Sequence, residues 1–473
     1  MTTTSTENTS VKFYGGTLTI LLPILFFLAA TVYLFIGAQA FDLTALALIG
    51  FVMLFLGSLL AREQAKYWKA AMSGIASEVS ATVVVLLLSA GVFSAMMKAG
   101  GLSQAITGLG LSLGFGPAAF TVFVLLASAL MATATGSSIG TILTATPVFF
   151  PAGVALGADP ALVAGAIMSG AVFGDNLAPV SDVTIISTLT QHHANGESAE
   201  VADVVRSRLP YALIALVLCL PLYALLGTHT APAAAAAGAA ASLKGLLMLV
   251  PVGVLIAVAV FTRDILRAIT AGLITGIPLG LLAGLFTPET VFHIENGTPA
   301  GFLYAGLNNM AGIVLLCLML FGYTGVVARA DLEAALMKVL SRRSGEAPMR
   351  AQGFEMLLAA LTMIVTVLFA GVTSASCALV GTLTDRLGIE CGVAAERRSH
   401  LLSGFANSLP VLCPFSAFVL ITLAVAKSDA VQLGPTDILF GAFYPLALFA
   451  VFSGSILTGI GRVRTVAPAG AAG

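Results

Sequence analysis

The stretch FGDNLAPVSDVTIISTLT, residues 173–190, interrupts an apolar segment with two carboxylates, an amide and a proline. Ionisable residues are costly inside a bilayer and usually mark a transport pathway or a proton relay. Asp175 and Asp182 are therefore candidate site residues. Because Gly174 and Pro179 can unwind a helix and free its carbonyls, we interpret the stretch as a membrane helix broken around a small cation.

The composition indicates a polytopic membrane protein. Of 473 residues, 58% are hydrophobic and 9% are charged, against roughly a quarter charged in ordinary soluble domains. A net charge of -1 gives no basic footprint for nucleic acid. No phosphate-binding motif occurs, and the five cysteines lack metal-ligand spacing, so no cofactor is expected.

Apolar runs of about 20 residues are long enough to span a bilayer. Eight such runs lie at 17–36, 43–61, 79–97, 209–228, 244–262, 266–286, 302–328 and 438–461. Four further apolar blocks are interrupted by small or polar residues, at 117–156, 161–190, 354–385 and 399–427. We expect hairpins in the first and third blocks and broken helices in the other two. Re-entrant hairpins and double crossings have the same parity, although each hairpin block is tight for two spans.

Basic residues set the orientation, because positive charge accumulates in cytoplasmic loops. These residues are Arg62, Lys66, Lys69, Arg206, Arg208, Arg263, Arg267, those within 329–350 and 386–398, Arg462 and Arg464. Their distribution predicts an inner-membrane protein with both termini in the cytoplasm. The remaining segments are read as a polar N-terminal tail (1–16), an Ala-rich external linker (229–243) and a C-terminal tail (462–473).

Internal similarity predicts a duplication. TATGSS at 133–138 resembles GVTSAS at 371–376, and SGAVFGDNLAPVS at 169–181 resembles SGFANSLPVLCPFS at 403–416. The two repeats, 17–228 and 244–461, begin on opposite sides of the membrane. The predicted fold is an all-α polytopic membrane protein with inverted structural repeats, each with a re-entrant hairpin and a broken transmembrane helix. Such repeats are typical of secondary transporters with a midplane site.

Three groups of polar residues carry the predicted chemistry. The cation and proton site is assigned to Asp175, Asn176, Ser181, Asp182 and Thr184, and the first hairpin tip to Thr133, Thr135, Gly136, Ser137 and Ser138. A site in the second repeat is assigned to Thr373, Ser374, Ser376, Asn407, Ser408, Cys413 and Ser416. Sodium is expected on Asp175, Asn176 and Ser137. Burial disfavours the charged form of a carboxylate, so one Asp can hold either Na+ or H+.

Several of these residues could instead have a purely structural role. Ser181 or Asp182 can cap the second half-helix, and hairpin hydroxyls can bond to their own helix carbonyls. Glu355 and Asp385 lie near predicted helix ends, where interfacial solvation is the simpler account. Glycines at 272, 276, 280 and 284 form a smooth helix face that serves either packing within one protomer or a dimer contact.

The segment GAVFGDNLAPVSDVTIIST resembles the NhaC-type Na+/H+ antiporters of the ion transporter superfamily, as do GSSIGTILTATPVFFP upstream and ERRSHLLSGFANSLP downstream. That family typically reads GDKxSPxSDTT. Gly174, Asp175, Pro179, Ser181, Asp182 and Thr184 match this motif. Its lysine is replaced by Asn176, its serine by Ala178 and its first threonine by Val183.

The resemblance implies cation coordination by hairpin tips and helix breaks, and a homodimer. It also implies exchange of Na+ or Li+ for H+ across a lipid bilayer, with Asp175 and Asp182 as carriers. The alternative is Na+- or H+-coupled movement of a small organic acid or amino acid, because similar proteins carry organic solutes. An ion channel or an intramembrane protease is a different class. A protease requires both carboxylates on one water, which the seven-residue separation across Pro179 disfavours.

Overall fold

The computed structural model describes residues 10–38, 42–102, 104–106, 108, 116–227, 243–262, 264–330, 349–427 and 431–462. Most of the Ala-rich linker and the two terminal tails lie outside these ranges. The described chain is predominantly helical, with one short antiparallel β-hairpin in the same ranges.

The helices before the first break are α1 (Leu21–Val32), α2 (Leu43–Leu60), α3 (Gln64–Ile75), α4 (Glu78–Ala99), α5 (Pro117–Thr135), α6 (Ser138–Ala155) and α7 (Pro160–Leu177). They are followed by α8 (Asp182–Leu189), α9 (Val201–Leu226), α10 (Leu249–Thr262), α11 (Ile265–Leu282) and α12 (Pro288–Val291). Strands β1 (His293–Glu295) and β2 (Thr298–Ala300) form the hairpin. The remaining helices are α13 (Phe302–Ala328), α14 (Ala351–Leu368), α15 (Thr373–Glu390), α16 (Ala395–Ala406), α17 (Ala417–Ala426), α18 (Pro435–Gly441) and α19 (Phe443–Thr458).

Helix ends follow local capping chemistry. Asp42 caps α2 by accepting a hydrogen bond from Ala45 N at 2.8 Å, and Asp159 caps α7, which begins with Pro160. A carboxylate at such a position satisfies amides that have no partner within the helix. Pro at the first helical position has no N–H to leave unpaired.

Ten helices in the described ranges are long and apolar enough to cross a membrane, and two bent helix pairs bring the total to as many as twelve. Six of the eight predicted uninterrupted spans are confirmed. Two differ. The first apolar helix, a 3-10 turn at Thr17–Ile20 followed by α1, ends at Val32 and is shorter than predicted. The last predicted span is bent by 55° between α18 and α19. Gly441, the last residue of α18, packs directly against Ala161 of α7, where a Cβ on Gly441 would lie 2.1 Å from the Ala161 carbonyl oxygen.

The predicted hairpin and broken-helix blocks are confirmed as helix pairs. The first hairpin has arms of 19 and 18 residues, α5 and α6. At 1.5 Å per residue each arm is about 27 Å long, close to the roughly 30 Å thickness of a bilayer core, which agrees with the expectation that this block is tight for two spans. The tip needs only Gly136 and Ser137 between the arms.

Two predictions about connecting segments were wrong. Arg206 and Arg208 lie within α9 rather than in a loop, and Arg397 and Arg398 lie within α16. The helices extend because no glycine or turn residue stops them before these arginines. The segment after α11, expected as a loop, contains the β1–β2 hairpin, with Asn296 at φ 50° in its turn.

Two compact units can be distinguished. The smaller comprises 1–84, 312–348 and 368–370. Within it, Tyr67 donates a hydrogen bond to Leu54 O at 2.8 Å, and Val11 N donates to Arg329 O at 2.7 Å. Gly74 and Gly325 allow close helix packing there, because a Cβ on Gly74 would lie 2.8 Å from Gly325 Cα.

The larger unit comprises 85–311, 349–367 and 371–473 and holds both helix breaks. Helix α5 packs tightly on α7, since a Cβ on Gly170 would lie 2.3 Å from Leu125 O. The glycine face of α11 packs within the same chain: Gly272 lies against Phe93 and Gly276 against Met96. This contact agrees with the protomer-packing reading of these glycines.

Candidate functional site

The first break separates α7 from α8 at residues 178–181. Ala178 N donates to Gly174 O at 2.9 Å. Pro179 has no N–H to donate, so it cannot extend this ladder. The helix resumes at Asp182, whose Oδ1 accepts from Val183 N at 2.9 Å. The result is a pair of half-helix ends facing a short non-helical segment, the arrangement in which transporters hold ions.

Asp175, on the last turn of α7, is 3% exposed. Its Oδ2 accepts a hydrogen bond from Ser138 Oγ at 2.6 Å. Its Oδ1 and Oγ of the neighbouring Ser181 are buried without a well-formed hydrogen bond, although Ser181 lies near enough to the carboxylate to interact with it. A buried polar atom without a partner is unfavourable unless a ligand or proton satisfies it. One oxygen of the Asp175 carboxylate is thus held by a hydrogen bond from the protein, and the other is left without a well-formed one.

The tip of the first hairpin lies directly against this break. Gly136 has φ +68°, and a Cβ there would lie 2.8 Å from Val180 Cγ2 and 3.1 Å from Ser181 N. On the facing helix, a Cβ on Gly174 would lie 2.5 Å from Thr133 N. Glycine permits both the left-handed turn and the close backbone approach. These contacts place Ser138 beside Asp175.

The other predicted hydroxyls of the tip are engaged locally. Thr133 and Thr135 donate to carbonyls one turn back on α5, at 2.8 and 2.9 Å. Ser137 caps α6 by accepting from Gly140 N at 3.1 Å. Of the two neighbouring serines, Ser138 contacts Asp175, whereas Ser137, which was expected to bind sodium, accepts a hydrogen bond from its own helix.

The two candidate carboxylates have different surroundings. Asp175 is buried, whereas Asp182 is exposed at the start of α8. The two acids still repel each other electrostatically. The structure thus provides one enclosed acid and one accessible acid. No group of three or more His, Cys, Asp or Glu able to hold a metal ion occurs in the described ranges.

Asn176 and Thr184 converge on a residue that the sequence reading had placed in a loop. Arg208 is fully buried, and its Nη1 donates to Asn176 O and to Thr184 Oγ1, the latter at 3.0 Å. Asn176 Nδ2 also donates to Tyr444 Oη at 3.4 Å. The missed signal was the periodicity of α9: the buried positions Val204, Arg208, Ala212, Ala215, Cys219 and Tyr223 recur every three or four residues.

The second break repeats the geometry of the first without an acid. Gly371, at φ +83°, lies against Ser416, and a Cβ on it would lie 2.9 Å from Ser416 Cβ. Ser416 caps α17 and donates to Val411 O at 2.5 Å. Gly136 and Gly371 thus contact the serines that precede α8 and α17, Ser181 and Ser416. These serines were paired by the internal similarity of the sequence.

The remaining predicted residues of the second repeat divide between bonded and free side chains. Ser376 accepts from Thr366 at 2.7 Å and donates to Thr373 O at 2.8 Å. Ser408 donates to Phe405 O at 2.8 Å. Asn407 is fully buried and both ends of its amide lack a partner. Ser374 and Cys413 are half-buried.

A buried charge network also lies in the larger unit. Glu355 is fully buried and accepts hydrogen bonds from Arg397 at 3.0 Å and Arg462 at 2.5 Å. The expectation of a solvated Glu355 was wrong, because two guanidinium groups take the place of water around its carboxylate.

A second charge cluster surrounds Asp385. His192 Nδ1 lies 2.8 Å from Asp385 Oδ2, and Arg398 Nη1 donates to Asp385 Oδ1 at 2.9 Å.

Comparison with known proteins identifies relatives among antiporters. Residues 8–228 match the Na+/H+ antiporter family. A malate-2H+/Na+-lactate antiporter of Bacillus subtilis is 32% identical over 200 residues, 42% of this chain and 40% of that protein. The Na+/H+ antiporter NhaC of Alkalihalophilus pseudofirmus is 25% identical over 408 residues, 81% of this chain and 84% of its own length.

Among solved structures, the YdaH transporter of Alcanivorax borkumensis is similar at a TM-score of 0.39 and 15% identity, over 94% of this chain and 98% of that one. The sequence match at 8–228 includes α7, α8 and Asp175. The chain is a multi-pass membrane protein, and its first half, residues 8–228, is similar to the Na+/H+ antiporter family.

Proposed function

We propose that the protein is a secondary transporter that exchanges Na+ or Li+ for H+, with Asp175 as the shared site. One observation carries the proposal: Asp175 is buried, Ser138 donates a hydrogen bond to one of its oxygens, and its other oxygen, beside Ser181, has no well-formed hydrogen bond. An ionised Asp175 with Ser181 offers oxygen ligands to a cation. A protonated Asp175 requires no cation. Competition between the two ions at one carboxylate gives exchange.

Asp182 has a different role in this proposal. Its exposed carboxylate at the start of α8 attracts cations to the break, and its repulsion of Asp175 disfavours two charged acids without a bound cation. Neutral oxygens of the hairpin tips and of the second break line the path. The different surroundings of Asp175 and Asp182 support transport over proteolysis, which needs both acids on one water.

The proposal is tested by cation-dependent proton movement in proteoliposomes that contain no organic solute. Addition of NaCl or LiCl should drive protons across the membrane, whereas choline chloride at equal ionic strength should not. Replacement of Asp175 by Asn should abolish this flux. Asp203→Asn, an exposed acid in the first turn of α9, is the matched control and should exchange normally. Absence of Na+ or Li+ exchange in the unmodified protein across pH 6–9 would overturn the proposal.

A homodimer and an inner-membrane location with cytoplasmic termini belong to the same proposal. The resemblance to NhaC-type antiporters supports the dimer, whereas the Gly272 face does not, because its contacts lie within the chain. Light scattering of the purified protein in detergent distinguishes a monomer from the proposed homodimer by its molar mass.

A further inference from the structure

One edge of the Arg208 guanidinium group, formed by Nε and Nη2, carries N–H donors that have no role in the proposed Na+/H+ exchange. The side chain is 0% exposed, and its hydrogen bonds to Asn176 and Thr184 all come from Nη1. Nε and Nη2 are buried without a hydrogen-bond partner. No carboxylate in the described part of the chain forms an ion pair with Arg208. The site therefore contains a buried guanidinium without a direct ion-pair partner, and Asp175 interacts with it only at longer range.

Burial of an unpaired charge is expensive. One stabilising factor is visible: Arg208 Nη1 meets the carbonyl of Asn176 at the C-terminal end of α7, where a cation is favoured by the helix dipole. This contact accounts for Nη1 alone. Nε and Nη2 form the side of the guanidinium plane that presents two parallel N–H groups, the geometry that a carboxylate accepts in bidentate fashion.

The position of Arg208 joins this edge to the candidate ion site. The guanidinium interacts electrostatically with Asp175, and also with Tyr444 on α19 and Cys377 on α15. The side chain is thus close to the first break and to the second hairpin. It also brings a positive charge to Asn176, which stands where the family motif has lysine. Arg208 approaches from α9.

We propose that the free Nε–Nη2 edge of Arg208 binds the carboxylate of a small organic anion. The bound anion supplies the missing ion-pair partner, while Asp175 remains available for Na+ or H+. Its coupling to ion movement rests on the proposed antiport, but the binding site itself does not. The enclosed position of Arg208 favours small carboxylates over bulky anions.

The test uses the purified full-length protein in detergent. Thermal stability and calorimetric binding are measured with sodium L-malate and sodium L-lactate, against lactamide and NaCl at matched ionic strength and Na+ concentration. At least one carboxylate should stabilise the unmodified protein, and lactamide should not. No carboxylate effect, or an equal effect of chloride, overturns the proposal without the need for any variant.

Variants assign the effect to Arg208. Arg208→Gln should weaken carboxylate binding at least tenfold, and Arg208→Lys should also weaken it because a lysine cannot form the bidentate contact. Thr184→Val, which removes the 3.0 Å acceptor that orients Nη1, should weaken it by a few-fold and serves if the arginine variants do not fold. Arg206→Gln, an exposed arginine on the same helix, should bind like the unmodified protein. Equal loss in the Arg206 variant would overturn the assignment.

Ion exchange and anion binding can fail separately. Cation-dependent proton flux without carboxylate binding leaves the antiport intact and removes the Arg208 site. Carboxylate binding that depends on Arg208, with no flux for any cation, removes the antiport and leaves the site.

Discussion

At the scale of single residues, Ser138 is the side chain that forms a close hydrogen bond with the buried carboxylate of Asp175. Its hydroxyl donates to the carboxylate at 2.6 Å. A hydrogen bond to a charged group contributes about 1.5–3 kcal/mol, and it favours the ionised acid that a cation needs. The neighbouring Ser137 only caps α6. Two adjacent serines thus separate ion chemistry from helix stability.

Ser138→Ala should lower the apparent affinity for Na+ about tenfold, since about 1.4 kcal/mol corresponds to tenfold. The neutral acid then competes better with the cation. Ser137→Ala should cost about 1 kcal/mol of stability through the lost cap and leave the affinity for Na+ unchanged. Half-saturating Na+ concentrations from proteoliposome flux check both variants. Similar affinities in the two variants would contradict the assignment of Ser138.

Glu355 is stabilised by two arginines in a buried network. Glu355→Gln leaves Arg397 buried without its counter-charge, and such a loss costs about 3–5 kcal/mol. The melting temperature of the purified protein should fall clearly. Glu390→Gln breaks the exposed Arg386–Glu390 pair and should leave the melting temperature unchanged, because exposed pairs contribute little. Equal melting temperatures for the two variants would contradict the structural role of Glu355.

Sequence reasoning at this scale located Asp175 and Asn176 but not Arg208 or the pairing of Glu355. An acid inside an apolar run is easily recognised in the sequence, because its burial in a membrane costs free energy and therefore indicates a function. An arginine at the end of an apolar run resembles an ordinary topological charge, and only the buried periodicity of α9 distinguishes it. Glu355 and its partner Arg397 lie 42 residues apart, so no local pattern connects them.

At the scale of elements, each hairpin tip meets a helix break through a glycine in the left-handed region. Gly136 contacts Val180 and Ser181, and Gly371 contacts Ser416. The small-residue tips and the proline-containing breaks were predictable, because only such residues permit irregular backbone inside a membrane. Which tip hydroxyl faces the break was not predictable, since it depends on where the next helix is capped.

Gly136→Ala should destabilise the first hairpin tip. An L-residue at this φ costs about 1–2 kcal/mol, and the added Cβ would lie 2.8 Å from Val180 Cγ2. We expect a lower melting temperature and slower Na+-dependent proton flux. Gly116→Ala is the matched control at the start of α5, where φ is -76° and no atom lies within 4 Å of the added Cβ. Full flux in the Gly136 variant would contradict a close tip–break contact.

At the scale of the whole molecule, the sequence predicted the number of apolar blocks and their interruptions. The number of apolar residues needed to cross a bilayer and the hydropathy of the sequence are enough to predict these blocks. The same patterns did not predict the bend between α18 and α19. At this bend Gly441 packs against Ala161 of α7, a contact between residues 280 positions apart in sequence.

The predicted orientation can be tested with cysteines placed in two exposed loops. Asn195 lies before α9, in a loop predicted to be cytoplasmic, and Asn296 lies in the β1–β2 turn, predicted to be external. In a cysteine-free background, a membrane-impermeant maleimide should label Asn296→Cys in intact cells and Asn195→Cys only in inverted vesicles. The background protein should remain unlabelled. The opposite labelling pattern would reverse the predicted topology.

The central claim is that Na+ and H+ compete for Asp175, and proton release on cation binding tests it most directly. NaCl is added to the purified, unmodified protein in weakly buffered detergent near neutral pH, with choline chloride as the reference. Na+ should release protons from the unmodified protein and from Asp203→Asn, and none from Asp175→Asn. Equal Na+-dependent release from Asp175→Asn would contradict the claim.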